Sequence, residues 1–165
     1  GEMLWLEQPA SDPLAPASLP WTEHVIASGA MSPDVFFRTA ELDGDDGAFE
    51  ILYTSFFTGG GLGYLKATDW TDNTTVTNVV VDKTPGPMFE LVVADLNGDG
   101  KDDVLATNNG ATKGKQAIFA YEVPSPLSAS TPWPRHTLAS GFMPIGFGIG
   151  KGAPGAPNVF PPQVG

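Results

Sequence analysis

Twice in this chain an acidic, glycine-bearing stretch is set between short apolar runs. AELDGDDGAFEILYTS (40–55) and ADLNGDGKDDVLATN (94–108) align along their length once one residue is inserted in the first. Each is followed by a Gly-rich turn (Gly59 to Gly61, Gly110 to Gly114) and then by an aromatic run, Gly63-Tyr64-Leu65 or Ile118-Phe119-Ala120-Tyr121. A second pattern keeps step with the first. Trp21-Thr22-Glu23-His24-Val25-Ile26 and Trp133-Pro134-Arg135-His136-Thr137-Leu138 have Thr75-Val76-Thr77-Asn78-Val79-Val80 at the matching place between them. The opening Met3-Leu4-Trp5-Leu6-Glu7-Gln8-Pro9 reads as the aromatic run again, without the half that should precede it.

A repeat of about 55 residues holding about four short strands has the size of one β-propeller blade. Composition agrees. Gly (20) and Pro (16) are abundant among 165 residues, and apolar pairs and triplets rich in Val, Ile, Phe and Tyr lie between turn formers. The expected fold is all-β, with blades of four-stranded antiparallel sheets, about two and a half blades of a larger propeller. Residues 1–32 are read as the end of one blade with the first strand or strands of the next, 33–87 and 88–141 as two blades, and 142–165 as a Gly/Pro-rich start of a further blade or an inter-blade loop. Such a segment is expected to meet flanking blades or partner subunits, because a blade buries its faces against its neighbours.

The charge excludes some functions. With 19 acidic residues against 8 basic, the formal net charge is −11, which argues against nucleic-acid binding, since phosphate neutralisation needs clustered Lys and Arg. No apolar run is long enough to span a membrane as a helix. There is no cysteine, so neither a disulfide framework nor a thiolate metal site is available. Gly1 is not an initiating residue, so loss of a leader peptide is compatible with the sequence.

The acidic stretch at 95–103 carries the most chemistry. Positions 1, 3, 5 and 9 are Asp95, Asn97, Asp99 and Asp103, all with side-chain oxygens, and position 7 is Lys101, which offers its backbone carbonyl. Hard oxygen donors at alternate positions of a tight turn suit Ca²⁺, and without a cation these carboxylates would repel one another. Position 12 is Ala106 and the flanks read as strands, so the loop is not an EF-hand. A strand–loop–strand setting with Asp at position 9 resembles the FG-GAP (VCBS-type) repeat of integrin-like propellers. The resemblance covers about residues 33–141 and implies a structural calcium in the loop, in a secreted protein of microbial, fungal-like kind. A second, weaker site is expected at Glu41, Asp43, Asp45 and Glu50, where the loop is one residue longer and opens with the longer Glu.

Other residues read as architecture. His24 and His136 stand at matching repeat positions, whereas a catalytic residue is normally single. Trp5, Tyr64, Trp70 and Tyr121 could stack on sugars but read first as filling between blades. Asn73-Thr74-Thr75 is a glycosylation sequon in a polar turn, and Lys113 with Lys115 beside Gly114 reads as a loop tip. No nucleophile–base constellation is visible, so no catalytic residue is assigned to this segment. The leading reading is a calcium-stabilised extracellular module for binding or structure, with glycans as a conceivable ligand. The alternatives are the propeller portion of a carbohydrate-active enzyme of lyase or dehydratase type, its site elsewhere, and a subunit of an extracellular assembly.

Overall fold

The computed structural model of the chain describes residues 2–29, 33–44, 48–58, 60–109, 114–143 and 154–160. Among these, ten strands form three antiparallel sheets. β1 (Glu2–Glu7) and β2 (Thr22–Ser28) make a two-stranded sheet. β3 (Phe37–Ala40), β4 (Glu50–Ser55), β5 (Gly61–Lys66) and β6 (Thr77–Asp82) form the next, in chain order. β7 (Met88–Ala94), β8 (Asp103–Asn108), β9 (Gln116–Glu122) and β10 (Arg135–Phe142) form the third, also in chain order. Four-stranded antiparallel meanders of this kind are the build of propeller blades. The described residues do not close them into a ring. Most of the Gly/Pro-rich end expected to start a further blade (144–153 and 161–165) lies outside the described residues, as do Gly59, Gly110 and Lys113.

Burial explains the residue choice along each sheet. The inner strand β4 is buried at every position, and so is all of β8. A strand covered on both faces needs apolar residues on both, so Glu50-Ile51-Leu52-Tyr53 shows no polar alternation. Successive side chains of β4 serve different cores. Ile51 and Tyr53 pack with Met3 and Leu65 against the β1–β2 sheet, whereas Leu52 joins Leu62 and Tyr64 against the third sheet. Of the outer strands, β10 is largely exposed, whereas β6 is about half exposed, with Val79 and Val81 turned to the core.

The third sheet packs on the second through Met88, Leu91, Val104, Ala106, Phe119 and Tyr121. Trp133, just before β10, reaches back over the second sheet and stacks on Tyr64 with ring centroids 5.9 Å apart. Polar ties flank this core. Thr54 Oγ1 donates to the Phe89 carbonyl at 2.9 Å, Arg38 meets Glu90 at 2.9 Å, and Arg135 meets Asp82 at 2.5 Å. Gly63 is needed for contact: a Cβ there would lie 2.5 Å from the Tyr53 ring and hydroxyl. Asp34, ahead of β3, fastens the β4–β5 turn by accepting from the backbone amides of Phe56 (2.7 Å), Phe57 (2.9 Å) and Thr58 (2.8 Å).

Candidate metal centre

The loop at 95–103 joins β7 to β8, and the register pair Ala94–Asp103 closes its base. Its polar side chains wind the backbone back on itself. Asp95 Oδ1 accepts from the amides of Gly98 (2.6 Å) and Asp99 (3.2 Å), and Oδ2 from Gly100 (2.9 Å). Asn97 Oδ1 accepts from the Asp99 amide and Asp99 Oδ1 from the Lys101 amide, at 2.8 and 2.9 Å. Asp103 Oδ2 accepts from the Leu96 amide at 3.2 Å. Gly98 and Gly100 hold φ of 80° and 84°, a left-handed region where a β-carbon is costly, so glycine suits both places.

Electrostatics splits the loop. The Gly100 amide, against desolvation and with the amides of Gly98, Asp99 and Asn97, holds the Asp95 carboxyl below its usual range. Burial pushes Asp103 the other way, and the negative charges of Asp99, Glu122 and Asp95 add to the rise. Glu122 stands opposite Asp103 on β9 and is paired with His136 at 2.6 Å. Asp99 Oδ2 and Asp103 Oδ1 take no hydrogen bond among the described residues. The donor set therefore fits a hard divalent cation: oxygens only, closely spaced, with mutual repulsion that an ion would relieve.

At the described ends of the 41–50 loop, side-chain oxygens again tie down backbone amides. Gly44, at φ 75°, donates its amide to Glu41 Oε1 at 2.8 Å, and the Leu42 amide donates to Glu50 Oε2 at 2.9 Å. Glu41, Asp43 and Glu50 each bring a carboxylate oxygen within 4.8 Å of the others. Asp45, expected in the same site, lies outside the described residues. A lysine already stands there: Lys66 Nζ bonds Asp43 Oδ2 and lies 3.6 Å from Glu50 Oε1. Burial raises the Glu50 carboxyl above its usual range, opposed by the Leu42 amide and helped by Asp43. A cleft of about 410 Å³ runs between the two loops, lined by Glu41, Asp43, Asp95 and Asp102 among others.

The remaining candidates have structural surroundings. His24 stacks on Trp5 at 4.2 Å and meets Glu7 at 2.9 Å, and His136 meets Glu122 in the same manner. Tyr64 and Tyr121 are buried in the core between the four-stranded sheets. Trp70 stacks on Phe49, and its carbonyl accepts the Trp5 indole N–H at 3.2 Å. These four aromatics are packing residues. Asn73 opens a short 3-10 turn, where it is exposed.

The FG-GAP repeat family model matches residues 90–121, from within β7 through the acidic loop and β8 to β9. This stretch is an FG-GAP repeat. It contains every ligand candidate of the 95–103 loop and ends one residue before Glu122. No curated protein and no solved structure matches the chain. Around the FG-GAP repeat, sequence reasoning passed over three residues. Lys66 and Glu122 each close the aromatic strand that follows an acidic loop, so carrying the repeat alignment two residues past Tyr64 and Ala120 exposes them. Asp34 has no counterpart at the matching place, Met88, and no sequence signal marked it.

Proposed function

We infer that the chain is a calcium-stabilised propeller-type module for extracellular binding or structure. Its ion is held by Asp95, Asn97, Asp99 and Asp103 with the Lys101 carbonyl. The observation that carries this reading is the wound loop itself: Asp103 is buried among like charges, with uncommitted oxygens on Asp99 and Asp103 beside it. Bound there, calcium would tie β7 to β8 and neutralise the base of the sheet. The FG-GAP match supports the same reading.

The test is thermal unfolding with calcium and with chelator. A ligand bound only by the folded state at 100 times its dissociation constant adds about 2.7 kcal/mol. For a chain of this size that raises Tm by about 5–11 °C, at 2–4 °C per kcal/mol. Asp99→Ala should remove the calcium response. Equal melting curves in calcium and chelator would reject the metal site.

A second reading concerns partners. The β7–β10 face opposite the core carries Leu105 and Ala120, with Leu138 58% exposed, whereas the matching Leu52–Tyr64 face of the second sheet is covered by the third. A further sheet, from flanking chain or from another subunit, is the natural cover. Glycan binding has weaker support, because the aromatics that would stack on sugars are engaged in packing.

A further inference from the structure

Two hydrogen bonds recur at matching places in the two acidic loops. Gly44 to Glu41 matches Gly98 to Asp95, and Leu42 to Glu50 matches Leu96 to Asp103. The strand registers match as well: Ala40 pairs with Glu50 as Ala94 pairs with Asp103. One step further, the correspondence breaks in charge. Asp103 faces Glu122 on β9. On β4–β5, Ile51 pairs with Leu65, so Glu50 faces Lys66.

We propose that Lys66 is the resident cation of the 41–50 loop, filling with its ammonium the place a divalent ion would take, so that this loop is metal-independent. Three observations carry this. One carboxylate oxygen from each of Glu41, Asp43 and Glu50 lies within 4.8 Å of the other two, where a positive charge among them relieves repulsion. Lys66 bonds Asp43 directly. Glu50 is fully buried and its Oε1 accepts no hydrogen bond, yet the Lys66 ammonium lies 3.6 Å away, so that oxygen is balanced through space. Lysine suits the task because it is a compact point charge on a long stem, and the Lys66 side chain is only 35% exposed. A carboxylate at the matching place, Glu122, does the reverse. It sets a carboxylate, itself paired with His136 at 2.6 Å, beside Asp103, so the second loop has no ammonium at this place. The charge of one residue on the third strand of each sheet thus decides which loop is a metal site. The statement about Lys66 does not depend on calcium being bound at 95–103.

Calorimetric titration with calcium, alongside melting curves in chelator, tests the proposal on the full chain. In the parent protein, Glu50→Gln and Glu41→Gln should leave the number of bound ions unchanged. Lys66→Met should gain one calcium per chain, and adding Glu41→Gln should weaken that gained site at least tenfold. In chelator Lys66→Met should melt below the parent, and calcium should restore it. Lys66→Gln serves if the methionine variant does not fold. The reciprocal Glu122→Lys should lose calcium at 95–103 and become insensitive to chelator. Loss of a bound ion from the parent on Glu41→Gln or Glu50→Gln would overturn the proposal, and so would a Lys66 variant that folds and gains no site. A parent that binds no ion, with a Lys66 variant that gains one, would leave this proposal standing and remove calcium from the 95–103 loop.

Discussion

Replacing Asp34 by asparagine isolates one anion's share of the fold. The native carboxylate accepts from three consecutive amides (Phe56, Phe57 and Thr58) and from the Thr58 hydroxyl at 2.8 Å. Asparagine keeps one acceptor oxygen and turns an NH₂ toward donors, so the bonds to one of the two oxygens are lost along with the charge. A hydrogen bond to a charged group contributes about 1.5–3 kcal/mol. Asp34 is only partly buried, which screens the charge, so the expected cost is about 2–3 kcal/mol at neutral pH. At about 2–4 °C per kcal/mol, Tm falls by about 4–12 °C. The pH dependence is the sharper part. Desolvation pushes Asp34 up, but the Phe56, Thr58 and Phe57 bonds outweigh it and its folded pKa lies below 3.8. A depressed carboxyl stabilises the fold fully above its unfolded value, and that contribution is lost as pH falls through the folded value. Urea midpoints of parent and Asp34→Asn should therefore stay a constant distance apart from pH 7 to 5 and converge below about pH 4. A gap that persists undiminished at the lowest pH where both proteins fold, or no gap at pH 7, would refute the reasoning.

Three further outcomes are expected. Gly63→Ala should cost about 1–3 kcal/mol in urea unfolding, because the new methyl meets the Tyr53 ring at 2.5 Å, and the cost should shrink in a Tyr53→Leu background. Burial pushes the Tyr53 phenol up to about 12 despite its bond with Asn78, and raises Tyr64 and Tyr121 as well. Ultraviolet titration of the folded protein should then show less phenolate near pH 10 than three ordinary tyrosines would give; normal ionisation in a protein still folded by circular dichroism would contradict the packing. His136→Ala should cost less than about 1 kcal/mol, since its contact with Glu122 is exposed, and His24→Ala more, since His24 also stacks on Trp5. Equal losses, or a large one for His136, would assign these residues some other role.

The strands and the loops were legible because their chemistry is local. Asp95-x-Asn97-x-Asp99-Gly100 states its turn in successive residues, and runs such as Leu91-Val92-Val93 announce strands by composition alone. That the sheets would be four-stranded and antiparallel followed from the length of the repeat. Other features needed the fold. Which side of β4 faces which neighbour depends on sheet stacking, so Ile51 and Leu52 cannot be assigned to different cores from sequence. Lys66 is an ordinary strand-end lysine until the register sets it against Glu50. Asp34 acts on a turn more than twenty residues away, and its bonds go to backbone amides, which leave no trace in side-chain identity. Trp21 and Trp133 stood out as a repeated pair, but not that Trp133 reaches across to Tyr64.

That reach has a consequence for how the protein is made. Tyr64 leaves the ribosome well before Trp133, and at about 5–20 residues per second the interval lasts several seconds. When Tyr64 emerges, Leu52, Leu62 and Tyr64 lack the cover of the third sheet, which arrives piecemeal from Met88 and is complete only with Trp133. The second sheet must wait, half-finished and sticky, for its successor. Nascent chains halted before Trp133 would be the species on which a chaperone has most to do, and codon choice between β6 and β10 sets how long that exposure lasts.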